Sequence, residues 1–504
     1  MTPAKAPCLS ILGTGSDVGK SIIVTALCRI FKNQGIRVAP FKAQNMSNNS
    51  FVTPEGDEMG RAQVVQAEAS GIDPHSDMNP VLLKPNSDMG AQIVLQGKVI
   101  GSQTARDYYM HTDGLFQKSL ESLNRLRDEY DLIIMEGAGS CGEVNLRKKD
   151  FVNFKMAHAA NAPVILAGDI DKGGIFAQLI GTLAVIPPED QKRVHGFLIN
   201  KFRGDSSLFQ EGIEYIEKQT QLPVYGMIPY YHDIEIDAED SVLLDSLIDP
   251  IAMPDKNTIH VAVIRLPHIS NFTDFLSLQR NSSVTVHYLA SPRKLEGYDA
   301  VILPGTKNVR YDLQWLVESQ WKSILQTYRN QRGQLIGICG GYQMLGKQVN
   351  DPYGVEGSPG ETRALGFLEQ ETTLQAEKVL SRTSGIFLPY QSKVEGYEIH
   401  MGITRSTGEK QAPLIRIESR NNKIVDDVDG TCSPDGKVWG TYLHGLFDSP
   451  YFLENFLSSL APSYQNHEQI SPSASDFKDR QYDLLARHFK QFMNMESLKK
   501  IIHI

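Results

Sequence analysis

The sequence has 504 residues, 41% of them hydrophobic, and a formal net charge of −9. This length predicts two or three domains, and the acidic balance disfavours a nucleic-acid binder. The five cysteines include no CxxC pair, which disfavours a disulfide scaffold or a structural zinc site and predicts a cytoplasmic protein. We see no signal peptide and no apolar run long enough to span a membrane, so we expect no membrane partner.

A glycine-rich loop, residues 13–21 (GTGSDVGKS), lies between an apolar run and a helical pattern. Strand, glycine-rich loop, Gly-Lys-Ser and helix together form a P-loop, in which backbone N–H groups surround phosphates and a lysine neutralises them. The strict motif has its first glycine where Thr14 stands, so the first glycine here lies one residue early. The pattern predicts an ATP site built from Gly15, Gly19, Lys20 and Ser21, with the hydroxyl of Ser21 on Mg²⁺.

A second metal ligand is predicted where another apolar strand ends. Residues 131–136 form this strand, which stops at Glu136 and is followed by Gly-Ala-Gly. An isolated acid at a strand end is as often simply solvated. Beside a phosphate loop, however, such an acid is placed to bind Mg²⁺. We therefore predict that Glu136 and Ser21 are the magnesium ligands.

Polar loops follow three further predicted strands in this half, at residues 43–50 (AQNMSNNS), 169–174 (DIDKGG) and 200–205 (NKFRGD). The first has too many amides for a core position. Strands alternating with helices predict a parallel, doubly wound sheet that binds ligands at the carboxyl ends of its strands. Basic side chains there indicate an anionic substrate besides the nucleotide, although ordinary surface charge explains any one of them equally well. They are Lys42, Lys172, Lys201 and Arg203.

The chain changes character near its middle, where an acidic, proline-containing stretch has no periodicity and predicts a linker. We place a P-loop domain at residues 1–245 and the linker at 246–257. A second α/β domain follows at 258–452, and a helical tail occupies 453–504.

The second half contains the pattern of a nucleophile elbow around Cys339. Residues 335–346 (LIGICGGYQMLG) carry G-x-C-x-G between an apolar run and a helix. Glycines two before and two after the cysteine permit a sharp turn that presents the sulfur at a helix N-terminus, where thiolate is favoured. The N–H of Gly340 is placed to face an oxyanion. Gly305, in a Pro-Gly-Thr-Lys loop after another predicted strand, can supply a second donor.

Two histidines are candidate bases for this thiol. His444 ends an apolar run and precedes a glycine, which predicts a ring exposed at a strand end. His400 lies in another glycine-flanked segment, residues 396–402. A lone histidine is more often structural than catalytic, so the choice rests on position along the strand. We favour His444.

The motifs of both halves resemble known families. The Cys339 elbow, the Pro-Gly-Thr-Lys loop and His444 are similar to a flavodoxin-like, class I (triad-type) glutamine amidotransferase domain. The loop at 13–21, with its displaced glycine, and the Glu136-Gly-Ala-Gly segment resemble the dethiobiotin synthetase group of P-loop enzymes. The two domains in this order resemble the cobyrinate amidase family over about residues 8–450. The resemblance implies an α/β protein with two doubly wound domains.

Within this family, the three polar loops are similar to those of members that act in cobalamin biosynthesis. The resemblance implies a ligase that hydrolyses L-glutamine and uses ATP and Mg²⁺ to amidate the b, d, e and g carboxylates of adenosylcobyrinic acid a,c-diamide. It further implies that Asn200 contacts the nucleotide. The corrinoid would be bound by Lys42, Gln44, Asn45, Asn48, Lys172 and Arg203.

One position departs from the wider amidotransferase pattern. Many class I enzymes carry Glu two residues after the catalytic histidine, where this sequence has Leu446. The similar family members generally lack that acid and resemble a Cys–His pair. What orients the ring of His444 is therefore open at this stage.

Two alternative functions also stay open. One is another glutamine-dependent carboxylate amidase, such as cobyrinic acid a,c-diamide synthase, which the loop at 43–50 disfavours. The other is an ATP-switched binding or partitioning protein with a similar P-loop. Such a protein has no use for an elbow at Cys339, so glutaminase activity would distinguish the two classes.

Overall fold

The computed structural model describes residues 5–87, 90–104, 108, 112–231, 233–237, 258–408, 412–461, 464 and 473–504. The predicted linker at 246–257 lies outside these residues. Within them, no helix is both long enough and apolar enough to cross a membrane.

The N-terminal half alternates strands and helices. Its strands are β1 (Cys8–Gly13), β2 (Val38–Phe41), β3 (Gln44–Met46), β4 (Ser50–Val52), β5 (Glu58–Gly60), β6 (Val81–Ser87), β7 (Gly90–Leu95), β8 (Lys98–Thr104), β9 (Leu132–Glu136), β10 (Val164–Asp169), β11 (Val194–Phe202) and β12 (Val224–Pro229). Its helices are α1 (Lys20–Asn33), α2 (Arg61–Ser70), α3 (Thr112–Glu129), α4 (Phe154–Ala160), α5 (Ile175–Val185), α6 (Pro188–Gln191) and α7 (Gln210–Thr220).

Six of these strands form a parallel sheet in the order β12-β11-β10-β1-β9-β2. β1, β9 and β10 are buried along their whole length, as their continuous apolar sequences require of strands covered on both faces. A parallel sheet places the carboxyl ends of all its strands at one edge. The phosphate loop after β1 therefore lies at the same edge as Glu136, the last residue of β9.

A smaller four-stranded sheet, β3-β6-β7-β8, and the β4–β5 hairpin are inserted after β2. The prediction of a surface loop at residues 43–50 is wrong, because this segment contains β3 and the start of β4. Asn45 and Asn49 are buried there. Amides can occupy such positions when hydrogen bonds satisfy them, so an amide-rich composition does not by itself mark a surface.

The C-terminal half has strands β13 (Ile259–Ile264), β14 (Val284–Leu289), β15 (Ala300–Leu303), β16 (Gln334–Ile338), β17 (Gln348–Asp351), β18 (Gly360–Arg363), β19 (Gln370–Phe387), β20 (Ser392–Ser406), β21 (Pro413–Arg420), β22 (Lys423–Cys432), β23 (Val438–Thr441) and β24 (Leu443–His444). Its helices are α8 (Leu276–Gln279), α9 (Val309–Glu318), α10 (Trp321–Asn330), α11 (Gly340–Leu345), α12 (Pro450–Leu460), α13 (Ala474–Phe492) and α14 (Met495–Ile502).

A second sheet organises this half. Five parallel strands run in the order β14-β13-β15-β16-β23 and continue into an antiparallel extension through β22, β21 and β19. Strand β20 pairs with β19 and, through Tyr397 and His444, with the short β24. The α/β class with parallel sheets is confirmed. The antiparallel extension is an addition that the sequence patterns did not reveal.

The last helices return to the N-terminal half. Leu485 and Phe489 of α13 belong to the same apolar cluster as Leu27 of α1. Arg29 of α1, although buried, reaches Asp483 of α13 at 2.7 Å. The chain terminus therefore covers one face of the first sheet.

Candidate functional site: a thiol site and a phosphate-loop site

The elbow places Cys339 between β16 and α11 in a backbone conformation that side chains rarely adopt. Its φ is 51° and its ψ is −106°. A methyl group added to Gly337 would lie 2.6 Å from the carbonyl oxygen of Gly341, and one added to Gly341 would lie 1.9 Å from the carbonyl oxygen of Leu303. Both glycines are therefore required by sterics, and the strained backbone is typical of a functional position.

A buried carboxylate orients the ring of His444. Its Nδ1 lies 2.6 Å from Oδ2 of Asp274, whose Oδ1 accepts the N–H of Gly445 at 3.0 Å. The sulfur of Cys339 lies close enough to this ring to influence its protonation, and its thiol lies 3.5 Å from the carbonyl oxygen of Ile399. The three side chains thus form a Cys–His–Asp constellation. The prediction of an exposed ring is wrong, because His444 is 1% exposed.

Neighbouring charged groups determine the protonation state of the His444 ring. Burial by itself would lower the pKa of His444, but the Asp274 carboxylate and the Cys339 sulfur outweigh burial and raise its pKa to about 10. An imidazolium at neutral pH stabilises a thiolate beside it, which is the nucleophilic form of cysteine.

Asp274 is the functional candidate that sequence reasoning missed. It lies in the 3-10 turn Phe272–Phe275, 170 residues before His444. A signal did exist, because this turn follows β13. The carboxyl ends of β13 and β16 share one edge of the parallel sheet, so acids after β13 lie on the side of the elbow.

His400 lies in the same cavity but is held differently. Its Nδ1 contacts the carbonyl oxygen of Gly402 at 2.8 Å, and its ring stacks on Tyr442 with a centroid separation of 3.7 Å. Burial, together with the charge of His444, lowers the pKa of His400 to about 4. A neutral ring bound to a backbone carbonyl is less suited to shuttling protons than His444.

The two predicted oxyanion donors lie beside the thiol. A methyl group on Gly305 would approach Cε1 of His444 to 3.0 Å. One on Gly340 would approach the backbone nitrogen of Thr306 to 3.0 Å. The Pro-Gly-Thr-Lys loop and the elbow are therefore in direct contact around Cys339.

A cavity of about 240 Å³ opens at this thiol. Cys339, His400 and His444 line it, and so does Gln343, four residues after the cysteine. Side chains from the N-terminal half and further charged groups complete its wall: Lys84, Gln92, Lys307, Glu356 and Lys378. The thiol site is therefore shared between the two halves of the chain.

The phosphate loop has its expected geometry at the edge of the first sheet. The ammonium group of Lys20 donates to the carbonyl oxygens of Gly15 at 2.9 Å and Gly139 at 2.8 Å, which holds it across the loop. Gly19 has a φ of 93°, and a methyl group there would lie 2.2 Å from Nδ2 of Asn200. Asn200 thus packs directly against the loop, as a nucleotide contact requires.

Ser21 and Glu136, the predicted magnesium ligands, are brought together. Oε1 of Glu136 accepts the hydroxyl of Ser21 and the ammonium group of Lys42, each at 2.8 Å, and Oε2 accepts the amide of Gln66 at 2.5 Å. Burial opposes ionisation, but the charge of Lys42 outweighs it and lowers the pKa of Glu136. A hydroxyl and an ionised carboxylate are oxygen donors that fit Mg²⁺, which is commonly held by one or two protein groups.

The amide-rich loop lies close to this site. Asn45 donates to Oε1 of Gln63 at 2.9 Å, and Gln44 accepts the hydroxyl of Tyr108. The side-chain oxygen of Asn48 is buried and has no hydrogen-bond partner among the described residues. Such an orphaned acceptor suits a ligand that donates an N–H.

Two of the predicted substrate residues lie apart from Glu136. Arg203 is exposed, donates to Asp171 at 2.6 Å and covers the ring of Tyr230 at 3.7 Å. Lys172 is exposed in the loop after β10. The ammonium group of Lys201 instead donates to the carbonyl oxygen of Asp17 in the phosphate loop and to the carboxylate of Asp169.

The β4–β5 hairpin and α2 connect the two sites. Asn271 precedes Asp274 by three residues. It donates to the carbonyl oxygen of Ser50 at 2.9 Å and to the hydroxyl of Tyr397 at 2.8 Å. The ring of Tyr397 stacks on His444. At the other end, α2 begins directly after β5 and presents Gln66 to Glu136.

Comparison with known families agrees with this two-site architecture. Residues 9–243 match the CobQ/CobB/MinD/ParA nucleotide binding domain, and residues 260–452 match the CobB/CobQ-like glutamine amidotransferase domain. The match to the first family covers the phosphate loop and Glu136. The match to the second covers Asp274, Cys339 and His444.

Curated relatives match over nearly the whole chain. The sequence is 54% identical over 494 residues to cobyric acid synthase of Chlorobium phaeobacteroides (strain BS1), covering 98% of this chain and 99% of the relative. It is 52% identical to cobyric acid synthase of Chlorobaculum tepidum, covering 97% of each. It is 42% identical to the enzyme of that name from Dehalococcoides mccartyi (strain CBDB1), covering 99% of each. The chain belongs to the cobyric acid synthase family.

Proposed function

We propose that this chain forms cobyric acid in cobalamin biosynthesis, by amidating the b, d, e and g carboxylates of adenosylcobyrinic acid a,c-diamide with nitrogen from glutamine. The observation that carries the proposal is the pairing of sites. A Cys–His–Asp constellation and a phosphate loop occur in one chain, joined by one hairpin and one helix. Catalysis is divided between proposed domains at residues 1–245 and 258–452.

Glutamine hydrolysis takes place at the thiol. The thiolate of Cys339 attacks the side-chain carboxamide, and the N–H groups of Gly340 and Gly305 stabilise the oxyanion. His444 gives its proton to the departing ammonia and then takes a proton from the water that releases glutamate. Asp274 holds the ring in the tautomer that these transfers need. The products are glutamate and ammonia.

Amide synthesis takes place at the phosphate loop. Lys20 and the loop N–H groups bind phosphates, Asn200 packs against the loop, and Ser21 and Glu136 hold Mg²⁺. Bound ATP supplies the phosphoryl group that turns an unreactive carboxylate into an acyl phosphate. Ammonia then forms the C–N bond as phosphate leaves.

The corrinoid is bound around this edge of the sheet. We assign carboxylate and amide recognition to the residues that the sequence singled out, namely Lys42, Gln44, Asn45, Asn48, Lys172 and Arg203. The unpartnered oxygen of Asn48 supports this assignment, because peripheral amides of the corrinoid can donate to it. The exposure of Lys172 and Arg203 supports a role at the rim, where a large substrate extends into solvent.

Mass spectrometry of the corrinoid tests the function. The protein is incubated with adenosylcobyrinic acid a,c-diamide, ATP, Mg²⁺ and glutamine, and each amidation replaces a hydroxyl by an amino group. We expect the mass to fall in steps until the b, d, e and g positions are amidated. Turnover of cobyrinic acid at the a and c positions instead would contradict the proposal, and omission of ATP is the control.

A further inference from the structure

Three lysines and one glutamate meet at the boundary between the two halves, inside the wall of the thiol cavity. Lys84 lies 2.7 Å from Oε1 of Glu58, and Lys378 lies 2.6 Å from Oε2 of the same carboxylate. The side chains of Lys84, Lys378 and Glu58 are 4%, 7% and 0% exposed. Lys307 donates to the amide oxygen of Gln92 at 3.1 Å. We name Glu58, Lys84, Lys307 and Lys378 the boundary cluster.

The boundary cluster contains three basic side chains and one acidic side chain. Among the described residues, Glu58 is the carboxylate ion-paired with Lys84 and with Lys378, while the ammonium group of Lys307 contacts a neutral amide. Burial and the neighbouring lysines lower the pKa of Lys378 to about 7 and that of Lys307 to about 8. Because burial disfavours the ammonium forms, an anionic ligand in this cavity would be stabilised by them and would stabilise them in turn.

The wall also offers unused hydrogen-bond donors. An ammonium group has three N–H donors, and Lys84 directs two of them to Glu58 and to the hydroxyl of Ser50 at 2.8 Å. One donor is left for a ligand in the cavity. Glu356 lines the same cavity; burial raises its pKa to about 7, and its Oε2 accepts the N–H of Arg310 at 2.9 Å, which leaves its carboxyl group further acceptor sites for an ammonium group. The cavity therefore carries groups of both signs, which matches the zwitterionic end of an amino acid.

Lys84 is distinctive because it comes from the nucleotide-binding domain. It lies on β6, next to β7 with Gln92, whereas Cys339, Lys307 and Lys378 belong to the amidotransferase domain. We propose that Lys84 binds the α-carboxylate of glutamine, so that the nucleotide-binding domain completes the glutamine site. Glu58 acts as a positioning residue that holds the ammonium group of Lys84 at the cavity wall. This inference rests on the proposed glutaminase function.

Substrate truncation tests the inference in the full chain. L-Glutamine is compared with 4-aminobutanamide, which keeps the carboxamide and the amine but lacks the α-carboxylate. For Lys84→Met we expect kcat/KM for glutamine to fall about 10- to 100-fold, the size of a lost hydrogen bond between charged groups. The inhibition constant of 4-aminobutanamide against glutamine hydrolysis should change less than about threefold, because this compound makes no such bond.

A matched variant controls for general effects of lysine removal. Lys98 lies on β8 of the same small sheet and pairs with Asp57, but its side chain is 65% exposed. Lys98→Met should leave both constants unchanged. Lys84→Gln keeps a donor toward Glu58 and serves as the second charge-removing variant if Lys84→Met does not fold, with the same expected loss for glutamine.

These measurements distinguish a glutamine-binding role of Lys84 from a purely structural one. An equal loss for glutamine and 4-aminobutanamide would make Lys84 an ordinary interface residue and overturn the inference. An unchanged kcat/KM for glutamine in the charge-removing variants would overturn it as well. Neither result touches the proposed function, which fails instead if the unmodified protein hydrolyses no glutamine and amidates no corrinoid.

Discussion

The thiol site and the phosphate-loop site differ in how they meet solvent. Asp274, Cys339 and His444 are all buried, and they line or adjoin a cavity of about 240 Å³. At the other site Lys20 and Glu136 are buried, but the basic loops beyond them are exposed. The contrast follows the sizes of the proposed substrates. Glutamine is small enough for such a cavity, whereas a corrinoid is large and has to present its carboxylates one after another at an exposed site.

The two sites also differ in how charge is used. At the thiol, the carboxylate of Asp274 contacts the ring of His444 and raises its pKa, and that ring lies beside the sulfur of Cys339. At the phosphate loop, Lys42 neutralises Glu136. Mg²⁺ and phosphates would compete with that ion pair. The first arrangement is preorganised for chemistry, and the second is completed by its ligands.

Removing the sulfur of Cys339 should give the largest difference between the activities of the two sites. Cys339→Ala should lower glutamine hydrolysis by about four orders of magnitude or more, because no other group can attack the carboxamide. Synthesis with added ammonium salt should persist, since the phosphate loop is intact. Glutamate release and corrinoid mass are measured on the same samples. Loss of the ammonia-dependent reaction would show that the two sites are not independent.

Neutralising Asp274 should give the next largest loss of glutaminase activity. Asp274→Asn should reduce glutamine kcat/KM about 10³-fold, because the amide no longer stabilises the imidazolium or its tautomer. The Asp274 carboxylate raises the pKa of His444. Its loss lowers that pKa, so the alkaline limb of the pH–rate profile should move to lower pH. His400→Ala is the matched control and should be milder. A larger effect from His400→Ala would transfer the role of base to His400.

Lys20→Ala should act at the phosphate loop without changing the thiol chemistry directly. We expect synthesis to fall about 10²- to 10³-fold with either glutamine or ammonia, the range for loss of one electrostatic contact to a transferring group. Both nitrogen sources are compared at saturating ATP. Retention of ammonia-dependent synthesis would contradict the assignment of this loop to ATP.

The smallest effect on catalysis is expected at Leu446. This side chain is 1% exposed in the turn after His444, so Leu446→Ala should lower the free energy of unfolding by about 2–4 kcal/mol. Because Asp274 already orients the ring, glutaminase activity should change only a few-fold. Urea unfolding and glutamate release are measured in parallel. A loss comparable to that of Asp274→Asn would mean that position 446 takes part in orienting the base.

Much of both sites is predictable from the sequence. The elbow at Cys339 and the loop at residues 13–21 depend on glycines at fixed spacings and on the elements beside them, and the structure has both in place. The strands around them were also predictable, because continuous apolar runs are typical of buried parallel strands. The proximity of Ser21 to Glu136 followed from the shared edge of a parallel sheet.

The sequence by itself therefore determined the parts whose requirements are local: a backbone turn that only glycine permits, and an apolar run that only a core accepts. The tertiary structure decided which distant groups meet. Asp274 reaches His444 across 170 residues of sequence, and Lys378 reaches Glu58 across 320. The physical reason is that these contacts depend on sheet register and domain docking, which bring together residues with no pattern in common. A buried charge has no sequence signature until its partner is known.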